Sequence, residues 1–287
     1  MRKVGVVGAG TMGHGIAQVF AMKEYDVTLV DHEKDNLAKA VKMINLSLDK
    51  LVEKGRLANA VRMEIPKRVR TSTDLKALDR CELVIEAVTE KAEVKKEVFQ
   101  QLDKICPKET IIATNTSSIS ISKLGAFTKR PGRVIGMHFF NPPVLMELVE
   151  VIRGIDTSQK TYDEARRVCQ RLGKTPVEIK DFPGFVANRL SIPLINEAIF
   201  VLMDNIATRE EIDTVMKLGM HHPMGPLELA DFIGLDVVLH IMENLYEEYE
   251  DSKYRVCPLL KKMVEAGHLG RKAGKGFYEY DENGRKK

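Results

Sequence analysis

The sequence predicts an α/β protein, with a doubly wound parallel sheet over residues 1–183 and an all-helical domain over residues 184–287. Three observations predict it. The first apolar run, Val4-Gly5-Val6-Val7, ends in a glycine-rich turn that opens a helix, Gly8-Ala9-Gly10-Thr11-Met12-Gly13. Short apolar runs then alternate with stretches of helical spacing, the pattern that builds βαβ units. Beyond Pro183-Gly184 the β pattern stops and helical spacing continues alone, which places the domain boundary there. At 287 residues the chain has room for two cores, since domains commonly run to about 100–150 residues.

The glycine turn carries the first chemical signal. Gly8 permits the tight turn, Gly10 lets backbone amides approach a pyrophosphate with no Cβ in the way, and Gly13 lets the helix sit close to the strand. The amides at Thr11 and Met12 begin that helix, whose positive end holds phosphates. Such turns also occur for purely structural reasons. Here a second apolar run, residues 27–30, ends in Asp31, at about the distance expected for the ribose-binding acid of a Rossmann-type domain. An acid there bonds the 2′- and 3′-hydroxyls and repels a 2′-phosphate, which favours NAD over NADP.

Residues 33–53 form a long helical pattern with Leu37, Val41, Ile44, Leu48 and Leu51 on one side. Lys50, Lys54 and Arg56 cluster at its end, followed by Lys67, Arg68 and Arg70. The cluster is either a solvated face or an edge that reaches a polyphosphate ligand. Leu83-Val84-Ile85 is the next buried strand, and Val94, Val98, Leu102 and Ile105 mark a helix. Ile111-Ile112-Ala113 is a further strand, leading into Thr114-Asn115-Thr116-Ser117-Ser118. Glu90, Asn115 and Ser117 fall just past strand ends, where doubly wound sheets bind ligands, although polar residues also occupy turns on their own account.

Two β-rich runs flank Asn141-Pro142-Pro143, a strand, a turn and a strand. Opposed positions in an antiparallel hairpin sum to a constant, and a loop centred on Val144 sets His138 opposite Glu150 on one face. A carboxylate facing an imidazole fixes its tautomer and stabilises the imidazolium. A lone strand histidine is more often structural, and one register step would put the two residues on opposite faces. Residues 162–172 then read as a helix and 176–179 as a last strand. In the C-terminal domain Val186, Leu190, Leu194, Ile195, Ala198 and Leu202 mark one helix and residues 212–218 a second. Leu229, Ile233, Val237, Ile241 and Leu245 read as a third and residues 259–266 as a fourth.

The formal net charge is only +3, with no long run of one sign, so nothing marks the surface for nucleic acid or a membrane. Cys81, Cys106, Cys169 and Cys257 are scattered without a CxxC or a histidine at ligand spacing, which points to free thiols in a reducing cytosol and no metal site. The opening apolar run is too short for a signal-peptide core, and no stretch approaches the ~20 apolar residues of a membrane span. A soluble, cytoplasmic protein is expected.

With these motifs laid out, the whole chain resembles the L-3-hydroxyacyl-CoA dehydrogenases, and within them the short 3-hydroxybutyryl-CoA enzymes. The resemblance rests on the glycine turn, Glu86-Ala87-Val88-Thr89-Glu90, Asn115-Thr116-Ser117-Ser118 and Gly136-Met137-His138-Phe139-Phe140-Asn141-Pro142-Pro143. It continues through Pro183-Gly184-Phe185-Val186-Ala187-Asn188-Arg189, Pro223-Met224-Gly225-Pro226 and Gly274-Lys275-Gly276-Phe277-Tyr278. The resemblance implies an NAD-dependent interconversion of 3-hydroxyacyl-CoA and 3-oxoacyl-CoA. In it His138 is the acid/base, Glu150 its orienting partner, and Ser117 and Asn188 contacts of the substrate's reacting end. It further implies that Glu90, Lys95 and Asn115 lie near the nicotinamide and its ribose, that Lys50 and Lys54 meet the CoA, and that the chain forms a homodimer through its helical domain. His32, after Asp31, departs from the family's pattern. A His-dependent dehydrogenase of a free 3-hydroxy acid and a non-catalytic NAD-binding dimer are the alternative readings.

Overall fold

Eight strands make up the single sheet of the computed structural model, which describes residues 1–287. They are β1 (Lys3–Val7), β2 (Asp26–Val30), β3 (Val69–Ser72), β4 (Leu83–Glu86), β5 (Ile111–Thr114), β6 (Val134–Phe139), β7 (Leu148–Arg153) and β8 (Thr175–Lys180), ordered β3-β2-β1-β4-β5-β6-β7-β8. From β3 to β6 every pairing is parallel; β7 runs antiparallel to β6, and β8 parallel to β7. The central strands read as unbroken apolar runs because a parallel sheet is covered on both faces, and Val4, Val6, Leu83, Val84, Ile85, Ile111 and Ile112 are fully buried. Pro176, which cannot donate to a ladder, sits in the edge strand β8.

The crossover helices of this first unit, Met1–Phe182, are α1 (Thr11–Met22), α2 (Lys34–Glu53), α3 (Asn59–Glu64), α4 (Ala92–Ile105), α5 (Ile121–Gly125) and α6 (Gln159–Arg171). Two sequence expectations are corrected here. Val41 was expected on the apolar side of α2, but it is exposed and Ala40 packs inward beside Leu37, Ile44, Leu48 and Leu51. The basic stretch after α3 contains a strand, β3, whose Val-Arg-Thr-Ser sequence is too short and too solvated to show a β pattern.

The second unit, Pro183–Lys287, holds α7 (Ala187–Met203), α8 (Arg209–Gly219), α9 (Pro226–Ile233), α10 (Leu235–Tyr249) and α11 (Pro258–Glu265). The single helix expected through Leu229 and Leu245 is two helices, α9 and α10, because Gly234 adopts φ +102, a conformation that breaks helical hydrogen bonding. Ile195, Ile199, Leu227, Leu235, Val238, Met242, Leu245 and Leu260 form the core of this unit. No helix of either unit is long and apolar enough to cross a membrane.

The C-terminal segment is clasped by two buried acids. Asp231 accepts the amides of Phe277 and Tyr278 and the Tyr280 hydroxyl, each at 2.9 Å. Asp213 accepts the Tyr278 hydroxyl at 2.8 Å and the amides that start α9, Leu227 at 2.9 Å and Glu228 at 3.1 Å. Gly276 has no substitute in this clasp, because a Cβ there would lie 1.9 Å from Asp231 Oδ1. Asp231→Ala strands three buried donors and should destabilise the chain by about 2–4 kcal/mol in urea unfolding. A loss under about 0.5 kcal/mol would mean that the segment is held by its aromatic packing instead.

Candidate active site

The antiparallel register of β6 and β7 pairs His138 with Glu150, so both side chains stand on the same face of the sheet. Both are buried, and His138 Nδ1 lies 2.8 Å from Glu150 Oε2. A carboxylate can only accept, so Nδ1 carries the hydrogen and Nε2 is the ring nitrogen able to exchange a proton. Phe140 stacks at a tilt against the imidazole, ring centres 4.7 Å apart. Asn115, just past β5, accepts the Phe139 amide on its side-chain oxygen at 2.9 Å and so latches β5 to β6 beside the histidine.

A buried charge network lies next to this latch. Glu86 ends β4 fully buried, and Lys95 on α4 is 1% exposed. Lys95 Nζ sits 2.7 Å from Glu86 Oε1 and 3.1 Å from Glu90 Oε2. Glu86 also accepts the Thr114 hydroxyl and the Val88 amide, each at 2.7 Å. The second oxygen of Glu90 gathers the loop after β5, accepting the amides of Ser117 at 2.9 Å and Ser118 at 3.2 Å, the Ser118 hydroxyl at 3.0 Å and the Thr116 hydroxyl. Burial raises the pKa of both carboxyls. At Glu86 burial wins over Lys95 and the donors, so its pKa stands above the ordinary carboxylate value. At Glu90 the Lys95 ammonium and the loop donors win, and its pKa stands below.

The glycine turn lies at the carboxyl end of β1, the same end of the sheet as His138 on the parallel strand β6. Gly8 takes φ +100, and a Cβ on Gly13 would lie 1.7 Å from the Gly8 carbonyl oxygen, so strand and helix touch backbone to backbone. Gly10, by contrast, has open space where its Cβ would be. No side chain caps α1, and no acidic residue occupies its first turn, at Thr11 and Met12. Asp31 Oδ2 accepts the Ala9 amide at 2.8 Å, and Oδ1 accepts the Glu33 amide at 3.0 Å and Asn36 Nδ2 at 3.1 Å. Burial pulls its pKa upward, but these donors outweigh it and hold the carboxyl below its ordinary value. The hairpin loop meets the same helix: a Cβ on Gly15 of α1 would lie 2.8 Å from Pro143 Cδ.

Lys50 and Lys54 line a cavity of about 390 Å³ between α1, α2 and residues 141–145, together with Arg56, Gln18, Met43 and Leu46. Asn188 lies in the first turn of α7, in the second unit. No group of three or more His, Cys, Asp or Glu side chains is placed to hold a metal ion.

Two family descriptions together match nearly the whole chain. Residues 3–182 match "3-hydroxyacyl-CoA dehydrogenase, NAD binding domain", and residues 184–280 match the C-terminal domain of the same family. The chain belongs to the 3-hydroxyacyl-CoA dehydrogenase family. Among its relatives, the 3-hydroxybutyryl-CoA dehydrogenase of Clostridioides difficile is 49% identical over 280 residues, covering 98% of this chain and 100% of that one. The 3-hydroxybutyryl-CoA dehydrogenase of Bradyrhizobium diazoefficiens is 50% identical, covering 98% of this chain and 96% of that one. The crystal structure of (S)-3-hydroxybutyryl-CoA dehydrogenase from Ralstonia eutropha superposes with a TM-score of 0.95 at 48% identity, covering 98% of this chain and 100% of that one.

The cofactor is NAD, and the residues present fit it. The uncapped amides of α1 behind the open face at Gly10 form a cradle for a pyrophosphate. Asp31 keeps acceptor capacity for a ribose hydroxyl, because its three donors leave one of about four lone-pair positions. His32 is largely exposed, with Nδ1 3.4 Å from Asp31 Oδ1. Lys95, expected near the nicotinamide ribose, is spent on two carboxylates, and Glu90 is its link to the Ser117 loop. Glu86 and Thr116 were missed, because a strand-end glutamate and a turn threonine carry no sequence mark of burial. Met43 and Leu46 were also missed, since they lie off the apolar stripe of α2.

Proposed function

We propose that the chain interconverts (S)-3-hydroxybutyryl-CoA and acetoacetyl-CoA with His138 as the acid/base. The observation that carries this reading is the 2.8 Å contact of His138 with Glu150 at the glycine-turn end of the sheet. When bound, NAD supplies the hydride acceptor or NADH the donor. His138 Nε2 takes the proton of the 3-hydroxyl, and Glu150 stabilises the imidazolium that results. In the reverse direction the same imidazolium returns a proton to the ketone oxygen. Ser117, on a loop shaped by Glu90, and Asn188 hydrogen-bond the substrate oxygens and hold C3 in place. The pair Lys50 and Lys54, with Arg56, supports a CoA phosphate contact, and Met43 and Leu46 give the same cavity an apolar side.

The test is NADH oxidation with acetoacetyl-CoA against acetoacetate. The thioester should be preferred by at least about 100-fold in kcat/KM, because remote CoA contacts contribute to transition-state binding. Equal use of acetoacetate would favour the free-acid dehydrogenase, and saturable NADH binding with no turnover would favour a non-catalytic dimer. Lys50→Ala/Lys54→Ala should raise KM for acetoacetyl-CoA about tenfold with kcat retained; an unchanged KM would remove the CoA from this cavity. With Asp31 anionic, kcat/KM for NADH should exceed that for NADPH by about 100-fold, and a preference for NADPH would defeat the ribose role of Asp31. A homodimer through the helical unit is supported by exposed Leu190, Ile206, Val215, Leu218 and Met220. A cytoplasmic location is supported by four buried, unbridged cysteines.

A further inference from the structure

The end of the sheet opposite the glycine turn carries a second set of convergent charges. A cavity of about 470 Å³ opens where residues lead into four strands: Met1 into β1, Cys81 and Glu82 into β4, Glu109 and Thr110 into β5, and Arg133 into β6. Another wall is α6, through Lys160, Glu164, Arg167, Val168 and Arg171. Those positions share one helical face, and Lys160 to Arg171 spans about 16 Å at 1.5 Å per residue. Arg80 also lines this cavity. A neighbouring cavity of about 350 Å³ shares Met1 and Arg171 and adds Arg2, Lys23, Glu24 and Tyr25.

Taken together, the two cavities hold seven basic side chains against four glutamates. That excess of three equals the formal net charge of the whole chain, +3. Of the seven cations, Arg133 alone is in a side-chain ion pair, with Glu164 at 3.0 Å. Its terminal nitrogens are spent on Glu164, Thr161 and the Glu109 carbonyl, while its Nε is buried without a hydrogen-bond partner. Tyr25, only 5% exposed, also keeps a hydroxyl with no partner. Six of the seven cations are exposed and only Arg133 is half-buried; like charges gathered on one concave surface repel one another, and an anion that bridges them relieves the repulsion.

We propose that this floor is a binding site for a polyphosphate chain, separate from the dinucleotide cleft. Arginine forks match phosphate oxygens in pairs, and cations spread over about 16 Å fit a chain of phosphates better than a single one. β1 lies between the two sites, so a ligand here does not compete with NADH. The same chemistry is offered by inorganic polyphosphate and by a nucleoside polyphosphate.

The experiment is calorimetric titration of the NADH-saturated full chain with tripolyphosphate, and in a second arm with ATP. One ligand should bind per chain, more weakly as salt rises, and Arg167→Ser/Arg171→Ser should weaken binding about tenfold or more while NADH affinity and the thermal midpoint stay at the parent values. Arg80→Ser, in a loop outside α6, should weaken it in the same direction. If ATP binds with the same arginine dependence and more tightly, the nucleoside is recognised as well; if tripolyphosphate is the tighter ligand, the bare chain is the target. Either result supports the site. It is overturned if no saturable binding appears, if the arginine variants bind as the parent does, or if Lys50→Ala/Lys54→Ala abolishes binding instead.

Discussion

His138→Ala should reduce acetoacetyl-CoA turnover by about 100- to 10,000-fold, the cost of losing a positioned general acid/base. NADH affinity should stay near its parent value, because the phosphate cradle and Asp31 belong to β1, α1 and β2, away from the histidine. The variant should also fold. His138 is buried beside Glu150 of the adjacent strand, and an alanine keeps the backbone ladder of β6 and β7 intact. Glu150→Gln tests the other half of the pair. It keeps the volume while removing the charge that stabilises the imidazolium, so turnover should fall by roughly 10- to 1,000-fold with the substrate KM little changed. Parent-like turnover in the alanine variant would remove His138 from the chemistry.

Lys95→Met should be the most destabilising single change near the site, costing about 3–5 kcal/mol in urea unfolding, because it leaves a buried carboxylate without its partner. The geometry is specific: Glu86 is fully buried, and Lys95 is the side-chain cation that compensates it, at 2.7 Å. The paired change Glu86→Gln/Lys95→Met should recover most of the loss, since an ion pair replaced as a unit costs much less than one broken in half. Turnover separates the two roles of the lysine. Through Glu90, Lys95 helps hold the loop that carries Ser117, so the paired variant should regain stability while kcat stays depressed. A loss below about 1 kcal/mol in Lys95→Met would show that Glu86 takes up a proton at little cost and that the network is not a structural necessity.

The features legible from sequence were those that depend on local spacing. Apolar runs marked every strand of the sheet except β3, and the antiparallel sum rule put His138 opposite Glu150 because the loop between them is symmetric about Val144. What local spacing does not encode was missed. Val69–Ser72 is a strand because β2 offers it an edge, and its own residues are too solvated to announce it. The apolar spacing of Leu229, Ile233, Val237, Ile241 and Leu245 runs unbroken through Gly234, whose φ of +102 is set by its surroundings. The charged network around Lys95 needs three elements to meet, and Glu86 is an ordinary strand-end residue until Lys95 is folded over it. The Gly274-Lys275-Gly276-Phe277-Tyr278 motif resembled a family signature without a role; folded, it is the segment that Asp231 clasps.

The orientation of the imidazole is the point on which the proposed proton transfer depends. It can be observed directly by long-range proton–nitrogen correlation NMR on the chain labelled with 15N-histidine and saturated with NADH, with the His138 signals assigned by their loss in His138→Gln. The result expected is a proton on Nδ1, held by Glu150, with Nε2 as the nitrogen that gains and loses its proton. A bare Nδ1 with the proton fixed on Nε2 would contradict it.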